Sequence, residues 1–279
     1  MSQLLVNLGC GNVWHGAWQN LDLSPGAPGI GRLDLGKPLP FADVSVDALY
    51  HSHVLEHLSR EQAQQLIAEC ARVLRPGGIL RVVVPDLETA ARLYLEKLSA
   101  TAAGGAALEY EWALIQLLDQ MVRTRPWGEA GDFLRRPEAR ANAFVRTTAG
   151  TATLAHFTPG EISPPRNFWS RLRHHRPVLF WRRKWRETRL ALARLFLTPS
   201  EKTAFTEALF RAEGELHRWM YDRVSLRRLL QERGLIEVAQ VTAHESRIEG
   251  FAAFRLDVTE ANEVRRPDSI FVEAVKPTA

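Results

Sequence analysis

The 279-residue sequence predicts an α/β fold: a parallel sheet interrupted by a large helical insertion. Three observations carry this expectation. Short apolar runs end in glycine- or proline-rich turns near both ends of the chain, a capped segment of helical periodicity lies between two such runs, and residues 88–221 show helical stripes without a convincing strand.

In chain order, Leu4–Leu8 is an apolar run stopped by Gly9-Cys10-Gly11, which is how a buried strand ends in a tight loop. Gln19–Leu23 makes a second short strand before the turn-rich Ser24–Gly29, and Val46–His51 a third. Ser59 with Gln62 forms a capping box, and Ala63, Leu66, Ile67, Cys70, Val73 and Leu74 follow at helical spacing. Arg75-Pro76-Gly77-Gly78 halts that helix, after which Ile79–Val84 reads as a buried strand closed by Pro85-Asp86. Strand, helix, strand in this order requires parallel pairing. Near the C-terminus Ser225 caps a helix through Leu229 and Leu230, Gly234 ends it, and Leu235–Thr242 and Ser269–Lys276 are strands. Between them, Leu108, Trp112, Ile115 and Leu118, then Phe205, Leu209, Ala212, Leu216 and Trp219, trace helical stripes. The division expected is 1–87 and 222–279 for the sheet, with 88–221 as a helical cap.

Composition narrows the class. With 46% hydrophobic and 24% charged residues, disordered, collagenous and coiled-coil chains are excluded. Two cysteines, Cys10 and Cys70, are too few for a disulfide framework or a cysteine-rich zinc site, which points to a reducing compartment. No export leader is visible and no apolar run reaches the ~18 residues that span a bilayer, so the expected address is the cytoplasm. Charge is uneven: residues 121–200 hold sixteen Lys and Arg against five acids, whereas the rest of the chain holds twenty against twenty-seven. Two bodies with different tasks follow.

Gly9 and Gly11, at the end of the first strand, let backbone N–H groups approach a ligand, and Asp22, at the end of the next, is placed to accept two hydrogen bonds from ribose hydroxyls. Asn7-Leu8-Gly9-Cys10-Gly11, Asn20-Leu21-Asp22, Leu39-Pro40-Phe41 through Val46-Asp47, and Val73-Leu74-Arg75-Pro76-Gly77-Gly78 occur in that order. Together they resemble the class I S-adenosylmethionine-dependent methyltransferases, and Val54-Leu55-Glu56-His57-Leu58 resembles the small bacterial branch with a Leu-Glu-His motif after the fourth strand. Phe254-Arg255-Leu256-Asp257, Arg266 to Ala274 and His217 to Asp222 look like members encoded among surface-polysaccharide genes. The resemblance covers residues 1–87 and about 215–279. It implies a Rossmann-like sheet, mostly parallel with an antiparallel last strand, and S-adenosylmethionine as cofactor. It also implies a cofactor set of Asn7, Gly9, Cys10, Gly11, Asp22, Asp34 and His51, with Asp34 near the adenine. Asn7 stands where the branch often has an acid, and Val13 where a third glycine is expected. Only ten residues separate Leu8 from Gln19, so the usual first helix must be a loop or a single turn.

Methyl transfer from a sulfonium leaves a neutral group and needs no acid, so positioning supplies most of the rate. A hydroxyl acceptor must lose a proton, for which histidine is suited. His51, His53 and His57 crowd the end of the strand from Val46; His53 is the expected base and His57 a second catalytic candidate. Glu56, His217 and Tyr221 are the expected acceptor contacts. His53, Glu56 and His57 offer metal-ligand types within one turn, but the single local carboxylate argues against a metal and none is expected.

The reaction expected is O-methylation of a sugar hydroxyl in a surface glycan or lipid-linked precursor. Trp185, Thr188, Leu192 and Leu195 fall on one helical face with Arg182, Arg183, Lys184, Arg186 and Arg189 mostly on the other. Such a cationic amphipathic helix, within 166–197, suits peripheral contact with the inner face of an anionic membrane. An RNA or other phosphate-rich acceptor is the alternative, through the ten basic residues between Arg166 and Arg194 with interleaved Phe168, Trp169 and Trp181. A nicotinamide dehydrogenase would use the same loop and acid, and a catalytically silent scaffold would keep the fold and recruit partners through the basic helix.

Overall fold

The computed structural model describes residues 3–157, 185, 188–190, 192–193, 196–212 and 214–278. The sheet strands are β1 (Leu5–Leu8), β2 (Gln19–Asp22), β3 (Gly31–Arg32), β4 (Val46–Ser52), β5 (Leu74–Pro85), β6 (Ile236–Val241) and β7 (Ser269–Val275). They lie in the order β3-β2-β1-β4-β5-β7-β6. Pairs β1–β2, β2–β3, β1–β4 and β4–β5 are parallel, and β7 runs antiparallel to both β5 and β6. From β1 the chain proceeds to β2 and β3 on one side and returns to β4 on the other. The C-terminal ends of β1 and β4 therefore flank a topological switch point, where open α/β sheets bind ligands.

Helix α1 (Arg60–Val73) starts on the expected capping box, with the Ser59 side chain accepting from Gln62 N–H and the Gln62 side chain from Ser59 N–H. Its buried Ala63, Leu66, Ile67, Cys70 and Val73 pack on one sheet face beside Val6, Leu8, Leu49 and Val82. On that face also lies a C-terminal helix, Arg223–Gln231, through Leu226, Leu229 and Leu230. The opposite face carries Leu5, Ala48, Tyr50, Val83 and Phe271, covered by Trp18, Ile248, Phe251 and Leu256.

Between β5 and the Arg223–Gln231 helix, the described residues form helices and no strand: α2 (Leu87–Ala102), α3 (Ala107–Val122), α4 (Gly128–Arg135), α5 (Pro137–Ala141), α6 (Ala143–Ala149), α7 (Thr151–Ala155) and α8 (Pro199–Ala212). These helices have a core of their own, built from Trp112, Phe133, Leu134, Ala139, Val145 and Ala149, with the Trp112 and Phe133 rings stacked 5.3 Å apart. The expected cationic helix within 166–197 falls largely outside the described residues.

Several local expectations are revised. The glycine pair after Pro76 does not separate helix from strand: β5 begins at Leu74 and absorbs Arg75–Gly78 as an irregularity, since pairing with β4 shifts between Val46 and Ala48. Asp222, not Ser225, caps the Arg223–Gln231 helix; Ser225 is the third residue of the helix, and its side chain accepts from Asp222 N–H to complete the capping box. The stripe through Leu216 and Trp219 is not helical. The helix ends at Ala212, Gly214 takes a left-handed φ of 86°, and 214–221 runs on in turns and extended chain. Leu118, assigned to the buried stripe of α3, is exposed. No helix joins β1 to β2, as their short spacing requires.

Candidate functional site

A cavity of about 890 Å³ opens at the switch point, near the upper end of the roughly 300–1,000 Å³ range of small-molecule sites. Its floor is the sheet edge, through Asn7, Gly9, Cys10, Gly11, Asn12 and Val13 after β1 and Tyr50, Ser52 and His53 at the end of β4. Its roof is the helical segment, through Trp112, Ile115, Gln116 and Gln120 of α3 and Ala130 and Leu134 of α4.

The loop after β1 is shaped by its two glycines. Gly9 has φ 65°, its N–H donates to Leu21 O at 2.8 Å, and a Cβ there would stand 2.5 Å from Val54 Cγ2. Gly11 has φ 52° and a Cβ would meet nothing within 4 Å, so its exposed backbone leaves room for a ligand atom. Asp22, at the end of β2, accepts from Gly11 N–H at 2.9 Å through Oδ2 and from Ser24 N–H at 2.8 Å through Oδ1. Each oxygen keeps a lone pair for a further donor. Asn7 is buried and bonds sideways, donating to Val13 O at 3.2 Å and Asn20 Oδ1 at 3.1 Å. An amide at this position ties the loop to β2 without placing a charge under it. Burial and the neighbouring Asp22 push the Cys10 thiol up to about 11, which keeps it protonated.

Across the cavity stands a cluster of one acid and several imidazoles. Residues Leu55–His57 form one 3-10 turn, so Glu56 is carried directly under the chain that returns from the helices. His53 Nδ1 is 3.0 Å from Glu56 Oε1, and His53 Nε2 is 2.9 Å from Ser269 Oγ. A carboxylate can only accept, so the contact with Glu56 places the ring proton on Nδ1 and leaves Nε2 as an acceptor beside Ser269 Oγ, whose hydroxyl also lies 3.4 Å from Asp268 Oδ1. The backbone at His53 is left-handed, φ 55°, held by its N–H to Val83 O at 2.9 Å. His57 Nδ1 reaches Leu216 O at 3.3 Å, and its ring stands edge-on to that of His217, centroids 4.9 Å apart. Glu56 is fully buried. Burial opposes its charge, yet contact with His53 and the fields of His57 and His217 outweigh this and hold its carboxyl down at about 2. Burial lowers His217 to about 3 against the opposing pull of Glu56, so its imidazole is neutral. Atoms of Glu56, His57 and His217 able to bind a metal all lie within 4.8 Å of one another.

The structure brings Asn7, Gly9, Cys10, Gly11, His53, His57 and His217 into the lining of one cavity, with Asp22 behind the loop and Glu56 behind the histidines. It does not bring His51, Asp34 or Tyr221 there. His51 is one residue off the cavity-lining alternation of Tyr50 and Ser52 and points to the other sheet face, fully buried and lowered by that burial to about 4. Asp34 is exposed and closes an Asx turn to Gly36 N–H at 3.0 Å. Tyr221 packs into the core beside the Arg223–Gln231 helix, and burial raises its phenol to about 12.

Other cavity residues carried no strong signal in the sequence. Arg123, Arg265 and Arg266 line it, as do Tyr50 and Asp257. Behind them Arg81, fully buried in β5, donates to Asp257 Oδ2 and Glu273 Oε1 at 2.8 Å each, and Tyr50 Oη donates to Asp257 Oδ1 at 2.6 Å. An arginine inside an otherwise apolar strand was the available clue.

Residues 28–82 match the methyltransferase domain family. A protein of Mycolicibacterium smegmatis named as a "probable S-adenosylmethionine-dependent methyltransferase" is 50% identical over 48 residues, and an uncharacterized methyltransferase of Synechocystis sp. is 33% identical over 141. Residues 28–82 thus match a methyltransferase domain, and the chain is similar to S-adenosylmethionine-dependent methyltransferases. The two matches span 17% and 45% of this chain and 18% and 66% of the relatives' own lengths. Among solved structures, the methyltransferase bound to the Haloferax volcanii Trm112 activator aligns over 99% of this chain and 83% of its own at 12% identity and a TM-score of 0.38. A Thermotoga maritima S-adenosylmethionine-dependent methyltransferase aligns over 98% and 82% at 11% identity and the same score.

The residues present fit that cofactor. Gly11 lines the cavity with open backbone, the cavity is large enough for a nucleoside with a charged tail, and Asp22 stands directly behind Gly11, bonded to its N–H, outside the cavity lining itself. Among the described residues no helix is long and apolar enough to cross a membrane.

Proposed function

We propose that the protein methylates a sugar hydroxyl in a surface glycan or its lipid-linked precursor. The observation that carries this reading is the geometry of His53. Its ring is held between Glu56 and Ser269 on the cavity wall, at the end of the strand that neighbours the glycine loop.

When bound, S-adenosylmethionine supplies the methyl group as an electrophilic sulfonium. Gly9 and Gly11 would face its methionine part and Asp22 would accept from its ribose. On the acceptor side, Glu56 fixes the His53 proton on Nδ1 and leaves Nε2 as the basic atom. Ser269 Oγ now occupies the position that an acceptor hydroxyl would take, 2.9 Å from Nε2, within the reach a general base needs. The helical roof, led by Trp112 and Gln116, covers the acceptor side of the cavity. Arg265 and Arg266 on the same wall suit the phosphates of a nucleotide- or lipid-linked sugar. We assign the protein to the cytoplasmic side of the membrane, where such precursors are built.

Purified protein incubated with methyl-labelled S-adenosylmethionine and a panel of nucleotide- and lipid-linked sugars tests the proposal. The wild type transfers label to a sugar hydroxyl, and His53→Ala lowers kcat by ~10²–10⁴-fold, the usual contribution of a positioned base, while cofactor affinity holds. Label that appears only on nitrogen or nucleic-acid acceptors, or a His53→Ala variant with wild-type kcat, contradicts it.

A further inference from the structure

We infer that Glu56, His57 and His217 form a binding site for a divalent first-row transition ion of the zinc kind, set into the cavity wall. Neither the domain match nor the relatives' names assign a metal to this domain, and the site stands on these three residues whatever the acceptor proves to be.

The donors come from two chain segments locked together before any ion arrives. Arg218 N–H and Trp219 N–H donate to Glu56 O at 2.6 and 3.3 Å, and His217 N–H donates to Gln120 O at 2.9 Å. The turn bearing Glu56 and His57 is thereby stitched to the strap bearing His217, and α3 holds the strap from the far side. Preorganisation of this kind separates a site from a chance cluster.

Each donor is in the state that a metal needs. His57 Nδ1 faces Leu216 O, which places the proton there and leaves Nε2 as a lone pair; a backbone carbonyl on the second ring nitrogen is the usual support of a metal-bound histidine. His217 is 3% exposed, and its Nδ1 is buried without a hydrogen-bond partner. Glu56 is completely buried; its Oε1 is paired with His53 Nδ1 at 3.0 Å, and its Oε2 has no hydrogen-bond partner, which leaves Oε2 for an ion. A buried carboxylate oxygen and a buried imidazole nitrogen without partners are costly, and a cation shared between them removes both costs.

The donor set selects the ion. Two nitrogens and one carboxylate suit zinc-like ions, whereas magnesium and calcium take oxygen donors and closed structural zinc sites take sulfur. His57 and His217 both line the cavity, so a fourth position faces the space assigned to the acceptor. One ligand atom from each residue lies within 4.8 Å of the others, whereas bonds of about 2.0–2.1 Å set tetrahedral donors roughly 3.4 Å apart, so the three side chains draw together when the ion binds.

Untagged full-length protein, stripped with chelator, is titrated calorimetrically with Zn²⁺ and spectroscopically with Co²⁺, alongside Glu56→Gln and His217→Ala. Wild type binds one equivalent with visible Co²⁺ bands of a low-coordinate site. Both variants weaken Zn²⁺ binding at least tenfold and lose those bands, with far-UV circular dichroism showing them folded; His57→Gln replaces whichever fails to fold. No binding by wild type, or binding that all variants retain, overturns the site. S-adenosylhomocysteine is titrated into the same samples: cofactor binding without Zn²⁺ binding defeats the metal site alone, and Zn²⁺ binding without cofactor binding defeats the methyl-transfer reading alone.

Discussion

Gly9 shows how a single position constrains both backbone and packing. Its φ of 65° is one that side-chain-bearing residues seldom adopt, and a methyl group there would stand 2.5 Å from Val54 Cγ2. Gly9→Ala therefore costs about 1–3 kcal/mol in a chemical denaturation midpoint and weakens S-adenosylhomocysteine binding, because relief of the clash moves the loop that faces the ligand. Gly11→Ala meets no such obstacle in space, so a Gly9→Ala variant as stable as wild type would mean that the loop is not held as described. The glycines and Asp22 were legible in the sequence because their chemistry is local: a strand end, a turn and an acid one strand away. His51 was not. His51 and His53 are two residues apart and would share one face of a continuing strand; β4 ends at Ser52, and the left-handed backbone at His53 is what brings its ring to the cavity while His51 stays on the other face. His217 was legible only as a polar residue near the end of the insertion; its proximity to His57 is a contact across 160 residues of chain that no spacing rule records.

At the scale of elements, three adjacent strands share a buried charge network. Tyr50, Arg81 and Glu273 are cross-strand neighbours on β4, β5 and β7, and Asp257 reaches them from the loop before β7. Arg81 also donates to the carbonyls of Glu245 and Thr242, and its guanidinium lies 4.5 Å from the centre of the Phe251 ring. Burial raises the Asp257 carboxyl, whereas for Glu273 the same burial is outweighed by Ser246, the Arg247 N–H and Arg81. Arg81→Met leaves two buried acids without their cation and costs about 3–5 kcal/mol, measurable by urea denaturation; a loss below 1 kcal/mol would show that the network does not depend on its arginine. Helix α1 was legible from Ser59 to Val73, since a capping box and a 3.6-residue stripe are both short-range signals. The two-residue β3 and the irregularity in β5 were not, because each exists only through pairing with a neighbouring strand. The missing turn of helix after Ala212 follows from one residue, Gly214, whose left-handed φ turns the chain before Leu216.

For the whole molecule, the described residues form a sheet layer and a helical layer with separate cores, and the cavity lies between them. The order of strands was implied by the resemblance of the first 87 residues, while the roof over the cavity came from a segment in which no resemblance was recognised. Its Trp112 serves both layers, stacking on Phe133 within the helices and lining the cavity below. Everything proposed for the chemistry depends on a nucleoside cofactor lying across Gly9 and Gly11 with its ribose on Asp22. Calorimetric titration of S-adenosylmethionine and S-adenosylhomocysteine into wild type and Asp22→Ala measures this directly. The account predicts one site per chain in the wild type and at least a tenfold loss in the variant, since a charge-assisted hydrogen bond contributes about 1.5–3 kcal/mol. Absence of binding by the wild type, or equal binding by Asp22→Ala, would contradict it.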